Sequence, residues 1–420
     1  MKGRRFVNLG AAALALTIAA GGGAMLLSQG VAAQGRGGQA PRLDVDPLWP
    51  KPFPVEKHWA LGSVTGVAVD AQDHIWVSNR GVNSLQNNEK GPTLQPWASE
   101  CCFGAPEVLE FDAAGTLLTS WGGPGQGYQW PQNPAGITVD GKGNVWIAAG
   151  GFAPPPAGRG RGPAPAAAPA AGGAAAGAAR GAGRGAPAAG GAAAPAAAAA
   201  PAGRGAPAAP AGPADAHVLK FDKTGKFLLQ IGTPGKMDGP ESKDTLNRPQ
   251  AVAVDDAANE VYVADSGNKR IVVFDANTGA FKRQWTGYGT AFGRLSCVAL
   301  SKDGQVYVCD RKNDRIQVFK KDGTFVKEGF VSKATTMHGS VWDIAFSSDA
   351  AQRYLFVADG QDEKVFTLDR TSLETLSSFG DGGGLPGAFR LVGSVGMDSK
   401  GNLYTGETFE GKRVQKFVKK

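Results

Sequence analysis

QAVAVDDAANEVYVADSGNKRIVVFDANTGAFKRQW, residues 250–285, contains four short apolar segments separated by turns. The apolar segments are rich in Val, Ile, Phe and Tyr, and the turns between them contain aspartate, asparagine and glycine. This pattern is typical of consecutive antiparallel β-strands joined by tight turns. The stretch therefore predicts one four-stranded antiparallel sheet.

The same pattern recurs along the chain, giving six copies in all. The residues that open the first turn of each copy are Asp70, Asp140, Asp255, Ser301, Ser347 and Asp398. They are separated by 70, 115, 46, 46 and 51 residues, and the second interval shortens to 53 without residues 153–214. A four-strand repeat of about 40–50 residues is typical of propeller blades. We therefore predict an all-β fold, a six-bladed β-propeller.

The last copy, residues 393–418, contains only three strands. The segment EKHWALG, residues 56–62, resembles the fourth strands LLTSWG and LLQIG of the first two copies. We therefore expect this N-terminal segment to supply the missing strand and close the ring, which removes exposed sheet edges. The propeller would then cover residues 54–420, preceded by an N-terminal extension over residues 34–53.

Residues 152–214 interrupt the second copy between its second and third strands. From residue 153 onward this tract consists only of Ala, Pro, Gly and Arg. It lacks the large apolar side chains that a core needs, and its glycines and prolines oppose a continuous helix. We predict a disordered insertion in a loop, not a domain boundary.

Residues 1–33 have the pattern of a signal peptide. Lys2, Arg4 and Arg5 precede an apolar run, and VAA precedes Gln34. This predicts export to the periplasm or the extracellular space, with a retained membrane anchor as the alternative.

The formal charge is +7, but the N-terminal segment and the insertion carry ten unopposed positive charges, which leaves −3 elsewhere. The folded part is thus slightly acidic, which argues against nucleic acid as a partner. We also expect a monomer.

The four cysteines fall into two pairs. A hairpin that turns at Asp303 places Cys297 opposite Cys309, where either a cross-strand disulfide or two buried thiols fit. Cys101 and Cys102 are adjacent in a long loop, and the sequence assigns them no partners.

VYVADSGNKRIVVFD, residues 261–275, and VYVCDRKNDRIQVF, residues 306–319, resemble NHL repeats. GVAVDAQDHIWVSNRG, residues 66–81, and GSVWDIAFSSD, residues 339–349, are similar to peptidyl-α-hydroxyglycine α-amidating lyases and their bacterial relatives. That resemblance implies a zinc ion held by three histidines at the start of the inner strands of blades two, four and six.

The positions that match those histidines are Ala135, Ser296 and Gly393. Ser394 stands where the lyases place an acid for structural calcium. We therefore predict neither a zinc nor a calcium cofactor. The same position in the other three blades holds Thr65, Gln250 and Trp342, so no ligand has moved to a neighbouring blade.

Two further positions match the lyases. Arg80 and Arg311 stand where that family has arginines that face substrate, and a guanidinium there would hold a carboxylate. Salt bridges to loop acids are the alternative role for both arginines. His338 is the one histidine expected near the same mouth of the channel, and we take it as a third candidate for contact with a ligand.

Four acids end their second strands in register: Asp265, Asp310, Asp359 and Glu407. This regularity favours a structural role, in which each acid bonds to its own loop. The leading interpretation is an exported propeller that binds a small-molecule, peptide or protein ligand. The alternatives are a lyase-like or hydrolytic enzyme that uses unrecognised channel residues, and a surface scaffold spaced by the insertion.

Overall fold

The computed structural model describes residues 40–150 and 215–420, which form a six-bladed β-propeller. The predicted signal peptide and the predicted insertion lie outside the described residues. Within these residues no helix is both long and apolar enough to cross a membrane. The secondary structure is almost entirely β-strand, as the repeated four-strand pattern predicts.

In five of the blades, four strands pair with one another in chain order to form one sheet. The first strand of each is the innermost. Blade one contains β3 Val64–Val69, β4 Ile75–Asn79, β6 Val108–Phe111 and β7 Leu117–Trp121. Blade two contains β8 Pro134–Val139, β9 Val145–Ala149, β10 His217–Phe221 and β11 Phe227–Gly232. Blade three contains β12 Pro249–Asp255, β13 Glu260–Asp265, β14 Arg270–Asp275 and β15 Phe281–Trp285.

The second half of the ring repeats the arrangement. Blade four contains β16 Leu295–Leu300, β17 Gln305–Asp310, β18 Arg315–Lys320 and β19 Phe325–Phe330. Blade five contains β20 Asp343–Phe346, β21 Tyr354–Asp359, β22 Lys364–Asp369 and β23 Thr375–Phe379. Blade six contains β24 Val392–Met397, β25 Leu403–Glu407, β26 Arg413–Lys419 and, from the N-terminal side, β1 Leu43–Asp46.

The remaining elements lie in loops. The two-residue strands β2 Trp59–Ala60 and β5 Phe103–Gly104 pair with each other in parallel. Short 3-10 helices cover Val55–Lys57, Gly81–Ser84, Asn87–Glu89, Gly91–Thr93, Ser266–Asn268 and Arg311–Asn313.

The aspartates that begin the inner hairpin turns stabilise these tight turns by accepting hydrogen bonds from the turn backbone. In blade two, Asp140 accepts the backbone N–H groups of Lys142 and Asn144 at 3.0 and 2.8 Å. Gly143 in this turn has φ +81°, a left-handed conformation that glycine adopts without a steric penalty. The second carboxylate oxygen of Asp140 accepts the indole N–H of Trp146 at 3.0 Å, which fixes the turn to the core.

The hydrophobic core lies between neighbouring blades. The cluster between blades one and two, for example, joins Trp76 and Val108 to Ile137, Val145 and Phe221. Similar clusters fill the other spaces between blades, so each sheet is covered on both faces. This explains why the inner strands are continuously apolar and do not alternate.

The ring is closed by an N-terminal strand, but the predicted segment was wrong. The outer strand of blade six is β1, which pairs with β26 from Leu43 opposite Lys419 to Asp46 opposite Lys416. Asp46 of β1 thus lies opposite Lys416 of β26, and Leu43 and Val45 pack against the adjacent core. Residues 56–62 instead form a 3-10 turn and the short parallel strand against residues 103–104.

The propeller consequently begins at Leu43, inside the segment that the sequence suggested was an extension. Trp59 and Leu61 of the 56–62 segment pack against the core cluster between blades six and one. Both segments have apolar residues at suitable intervals, and β1 adds Asp46 opposite Lys416 and an ion pair between Asp44 and Lys420.

Both cysteine pairs form disulfides. Cys297 and Cys309 are directly opposite in β16 and β17, with a Cα–Cα distance of 4.9 Å. Cys101 and Cys102 are bonded to each other in the loop that follows β4.

Candidate ligand-binding site

A cavity of about 450 Å³ occupies the axis of the propeller and is lined by the inner strands of all six blades. At one mouth lie the first residues of the inner strands and the loops that follow each second strand. The rim residues are Thr65, Ala135, Gln250, Ser296, Trp342 and Gly393.

The three positions equivalent to the lyase histidines all line this cavity, but their side chains offer little to a metal. Ala135 is buried and apolar, and Gly393 has no side chain. The Ser296 hydroxyl donates to the carbonyl oxygen of Val341 at 2.8 Å. Neutral imidazole or thiolate ligands, which zinc prefers, are missing at these positions.

The four histidines of the chain lie far apart in the fold. His58 ends the first 3-10 helix, and His217 is fully buried at the start of β10, with its Nε2 2.8 Å from the carbonyl oxygen of Gln129. His74 lies in the turn on the opposite face, where its Nδ1 is 2.8 Å from a Glu110 oxygen and 3.5 Å from an Asp70 oxygen. Among the described residues, these three side chains are the one group with metal-ligand proximity, and they already bond to one another.

His338, the third predicted candidate, is exposed to solvent and does not line the cavity. Its ring centroid lies 6.2 Å from that of Trp342. Partial burial lowers the pKa of His338, and the positive charges of Arg311, Arg294 and Lys312 lower it further. His338 thus sits at the edge of a cationic surface.

Arg311 follows β17 and is held firmly. Its Nε donates to the carbonyl oxygen of His338 at 2.7 Å, and its guanidinium carbon is 3.1 Å from the ring centroid of Trp342. The indole N–H of Trp342 donates in turn to Gly339 at 2.8 Å, which fixes the ring under the guanidinium. Burial lowers the pKa of Arg311 well below its usual range, and the charge of Arg294 adds to this. The cation is thus placed where it is poorly hydrated.

Arg80 follows β4 and is only 6% exposed. Within the described residues, its Nε and Nη1 are buried and have no hydrogen-bond partner. Its guanidinium carbon lies 5.4 Å from the centroid of the Phe409 ring. Burial lowers the pKa of Arg80 to about 10, while the charge of Asp215 acts in the opposite direction. The predicted alternative, a salt bridge to a loop acid, is not formed by Arg80 or Arg311 in the described part of the chain.

The comparisons with known proteins agree with the fold. The profile of the NHL repeat matches residues 246–274 and 292–319, in blades three and four. The chain contains NHL repeats. NHL repeat-containing protein 3 of Mus musculus is 29% identical over 174 residues, which cover 40% of this chain and 46% of that protein. Its Homo sapiens counterpart is 27% identical over 169 residues, 38% of this chain and 44% of that protein. The chain therefore spans less than half the length of these curated relatives.

Two solved structures are similar to this NHL propeller at low identity. A protein of unknown function from Bacteroides thetaiotaomicron is 13% identical with a TM-score of 0.48, over 86% of this chain and 70% of that one. Virginiamycin B lyase from Staphylococcus aureus is 10% identical with a TM-score of 0.44, over 86% of each chain.

The structure adds a third arginine that the sequence analysis missed. Arg294 lines the same cavity as Arg80 and Arg311 in the NHL propeller. Burial lowers its pKa to about 10, and the charge of Arg248 contributes. A sequence signal exists, because Arg248 and Arg294 each stand two residues before a rim residue, Gln250 and Ser296.

Asp343, in the inner strand β20, is a channel carboxyl that was also missed. Its oxygens accept the backbone N–H of Ile344 at 2.9 Å and that of Val395 at 3.0 Å, the latter from the neighbouring blade. Burial raises the pKa of Asp343 to about 7, although both hydrogen bonds lower it. The carboxyl is therefore poised between its neutral and charged forms near neutral pH.

The four acids that end second strands are structural in three blades. Asp265 and Asp310 accept the Nε of Arg270 and of Arg315 at 2.8 and 2.9 Å, and Glu407 accepts that of Arg413 at 2.7 Å. Asp359 differs, because blade five has Lys364 where those three blades have arginine. One Asp359 oxygen accepts the N–H groups of Gln361 and Asp362, and within the described residues the other oxygen is buried without a partner.

Proposed function

We propose that this NHL propeller is a binding module that holds a small carboxylate-bearing ligand at the arginine-lined mouth of its channel. The observation that carries the proposal is Arg80, a buried guanidinium with two N–H groups that have no partner within the described residues. A buried charge without a partner is costly, so its retention is best explained by a ligand that completes its hydrogen bonds.

The other groups at this mouth support an anionic ligand. Arg311 and Arg294 line the same cavity, and the stacking of Arg311 on Trp342 leaves its guanidinium plane fixed. A fixed planar fork is suited to bidentate contact with a carboxylate. The cavity volume of about 450 Å³ is in the range of small-molecule sites.

An exported location is part of the proposal. Its support is the basic and apolar N-terminal sequence of residues 1–33 together with two disulfides, which persist in oxidising compartments. We further propose that the propeller acts as a monomer and that nucleic acid is not its partner, since the folded part carries a small net negative charge.

An acid–base enzyme is the second candidate, and Asp343 is the observation that favours it. A carboxyl whose pKa is near 7 inside a ligand cavity matches what general acid–base catalysis requires. Such a lyase-like or hydrolytic activity would convert the ligand, whereas the binding module returns it unchanged. Mass spectrometry of the ligand after incubation with the protein separates the two.

The test of the binding proposal is isothermal titration calorimetry of small carboxylates with single arginine variants. Arg80→Met and Arg311→Met keep most of the side-chain volume but remove the charge. We expect each variant to lose about 2 kcal/mol or more of binding free energy, which is about thirtyfold in Kd. Without ligand, Arg80→Met is expected to be at least as stable as the wild type, because the substitution removes an unpartnered buried charge.

Arg353→Met is the matched control, since the Arg353 side chain is 66% exposed and lies outside the cavity. It removes the same charge and should leave affinity unchanged. Equal binding by the wild type and the two cavity variants would contradict the proposal. Unfolding of both cavity variants would instead identify the two arginines as structural.

A further inference from the structure

The two predicted arginines occupy equivalent positions in blades one and four. Arg80 is the first residue after β4, and Arg311 is the first residue after β17. Their partners in the strand register confirm the equivalence, because Val64 pairs with Asn79 and Leu295 pairs with Asp310 at the corresponding ends of the inner hairpins. The equivalent residues in the other four blades are uncharged: Gly150, Ser266, Gly360 and Thr408.

Equivalent positions in blades one and four face each other across the channel. The inner strands contact one another in chain order around the ring, and β24 of blade six returns to β3 of blade one. In a closed ring of six, blade four is therefore opposite blade one. The backbones of Arg80 and Arg311 therefore lie on opposite sides of the mouth, and their guanidiniums extend over Phe409 of blade six and Trp342 of blade five. The rim residues of blades two and three, Ala135 and Gln250, carry no charge.

Both guanidiniums still have free hydrogen-bonding capacity. Arg80 has two buried N–H groups without a partner in the described chain, and among the described residues Arg311 donates a hydrogen bond only through its Nε. The structural arginines of the same propeller behave differently. Arg270, for example, bonds through its guanidinium to Asp265 and to the carbonyl oxygens of Pro240, Ser242 and Thr245. The fold therefore satisfies buried arginines fully elsewhere.

The charge of the cavity lining is also unbalanced. Three arginines, Arg80, Arg294 and Arg311, face the cavity together with a single carboxyl, Asp343. A ligand with one negative charge would leave this lining with a positive excess. Two negative charges on the ligand offset more of it and still leave the uncharged middle of the rim to contact an uncharged spacer.

We propose that the ligand is a dianion whose two carboxylates are at opposite ends of a linear spacer, one end bound by Arg80 and the other by Arg311. This assignment rests on the proposed function, since it names the ligand class for the same site. Binding of one end holds the other near the opposite arginine, which strengthens the second contact without any new group in the protein.

The experiment titrates the full-length protein with α,ω-dicarboxylates of increasing chain length, from malonate to suberate, and with the monocarboxylates from propionate to octanoate. Inorganic phosphate is included as a dianion whose charges share one group. We expect one dicarboxylate length to bind best, about a hundredfold more tightly than the monocarboxylate of the same length.

Two variants make the test specific. Arg80→Met and Arg311→Met should each abolish the advantage of the best dicarboxylate over the monocarboxylate of the same length, because only one pole remains. Arg353→Met should leave every affinity unchanged.

Three outcomes would overturn the inference: equal affinity of dicarboxylates and monocarboxylates, no length optimum, or tightest binding of phosphate or malonate. Each of these results is compatible with a single anion-binding site. The dianion assignment would then be wrong, while the proposed function would stand. Failure of all the anions to bind the wild type would reject the proposed function itself.

Discussion

The buried arginines of this propeller fall into two classes that differ in their partners. Arg270 and Arg315 follow the turn after a second strand and bond to the acid that ends that strand. Arg80 and Arg311 precede the turn and face the channel, where no acid is bonded to them within the described residues. Because buried charges are costly when unpaired, the first class stabilises the loops and the second is available to a ligand.

Asp359 gives a prediction on pH. Burial raises the pKa of Asp359 to about 7, and the nearby Asp362 charge contributes. The folded protein therefore binds more protons than the unfolded chain between about pH 4 and pH 7, so stability falls as the pH rises through this window. Asp359→Asn keeps an acceptor for the N–H groups of Gln361 and Asp362 and removes the titration. We expect the variant to match the wild type near pH 4 and to be more stable by about 4 kcal/mol at pH 8, because about three pH units separate the folded and unfolded pKa values.

Urea unfolding at both pH values measures this difference. Asp310→Asn is the control, since it removes the carboxylate that accepts the Nε of the buried Arg315 and should lower stability by about 3 kcal/mol at either pH. The same pH dependence in the wild type and Asp359→Asn would show that Asp359 does not titrate in this range.

For individual residues, the sequence predicts only part of the candidate site. Arg80 and Arg311 are visible because their surroundings resemble a known motif, and the structure places both on one cavity. Asp343 is not visible, since a lone acid in an apolar strand says nothing about which face it occupies or about the Val395 N–H that it meets from blade six. Contacts between blades depend on the ring, which no local pattern encodes.

Among the elements, the inner hairpins are the best predicted from sequence. The turn at Asp303 alone predicts that Cys297 faces Cys309, and the two residues are directly opposite in the structure. The closing strand is less predictable, because residues 43–46 and 56–62 both offer apolar residues, and only the register in space shows that Asp46 meets Lys416 of β26. Such pairings between distant segments require the position of the partner in space.

The two disulfides are predicted to contribute very differently to stability. The Cys297–Cys309 bond closes a loop with a sequence separation of 12, whereas Cys101–Cys102 joins neighbours and closes almost none. In the chain-entropy account, a loop of the former size is worth about 3 kcal/mol. We expect a reductant to lower the free energy of unfolding by roughly that amount in the wild type and equally in the Cys101→Ala, Cys102→Ala double variant.

Urea unfolding with and without dithiothreitol tests this, with mass spectrometry after alkylation to verify which thiols are free. If the reductant has no effect on the double variant, the stabilising bond is Cys101–Cys102 and the argument from loop size fails.

For the whole molecule, closure of the ring is the step that joins the two ends of the described chain. Blade six has three strands from its C-terminal repeat and takes its fourth from β1. Without β1, the edge of β26 would expose unpaired backbone groups along Arg413–Lys419, and exposed edges of this kind promote association between chains. The six repeats can be predicted from the sequence because each blade uses the same pattern. The closing strand occurs only once, so no repeated pattern predicts it.

Truncation tests the role of β1. A chain that begins at Pro47 lacks β1, and a chain that begins at Ala40 retains it and serves as the control. The first loses the packing of Leu43 and Val45, both only partly buried, at about 1 kcal/mol each, together with the β1–β26 ladder. We expect its free energy of unfolding to fall by about 2–4 kcal/mol, its β26 amides to exchange hydrogen rapidly, and light scattering to detect oligomers. Protected β26 amides in a monomeric chain beginning at Pro47 would mean that another segment, with residues 56–62 the first to consider, can take the place of β1.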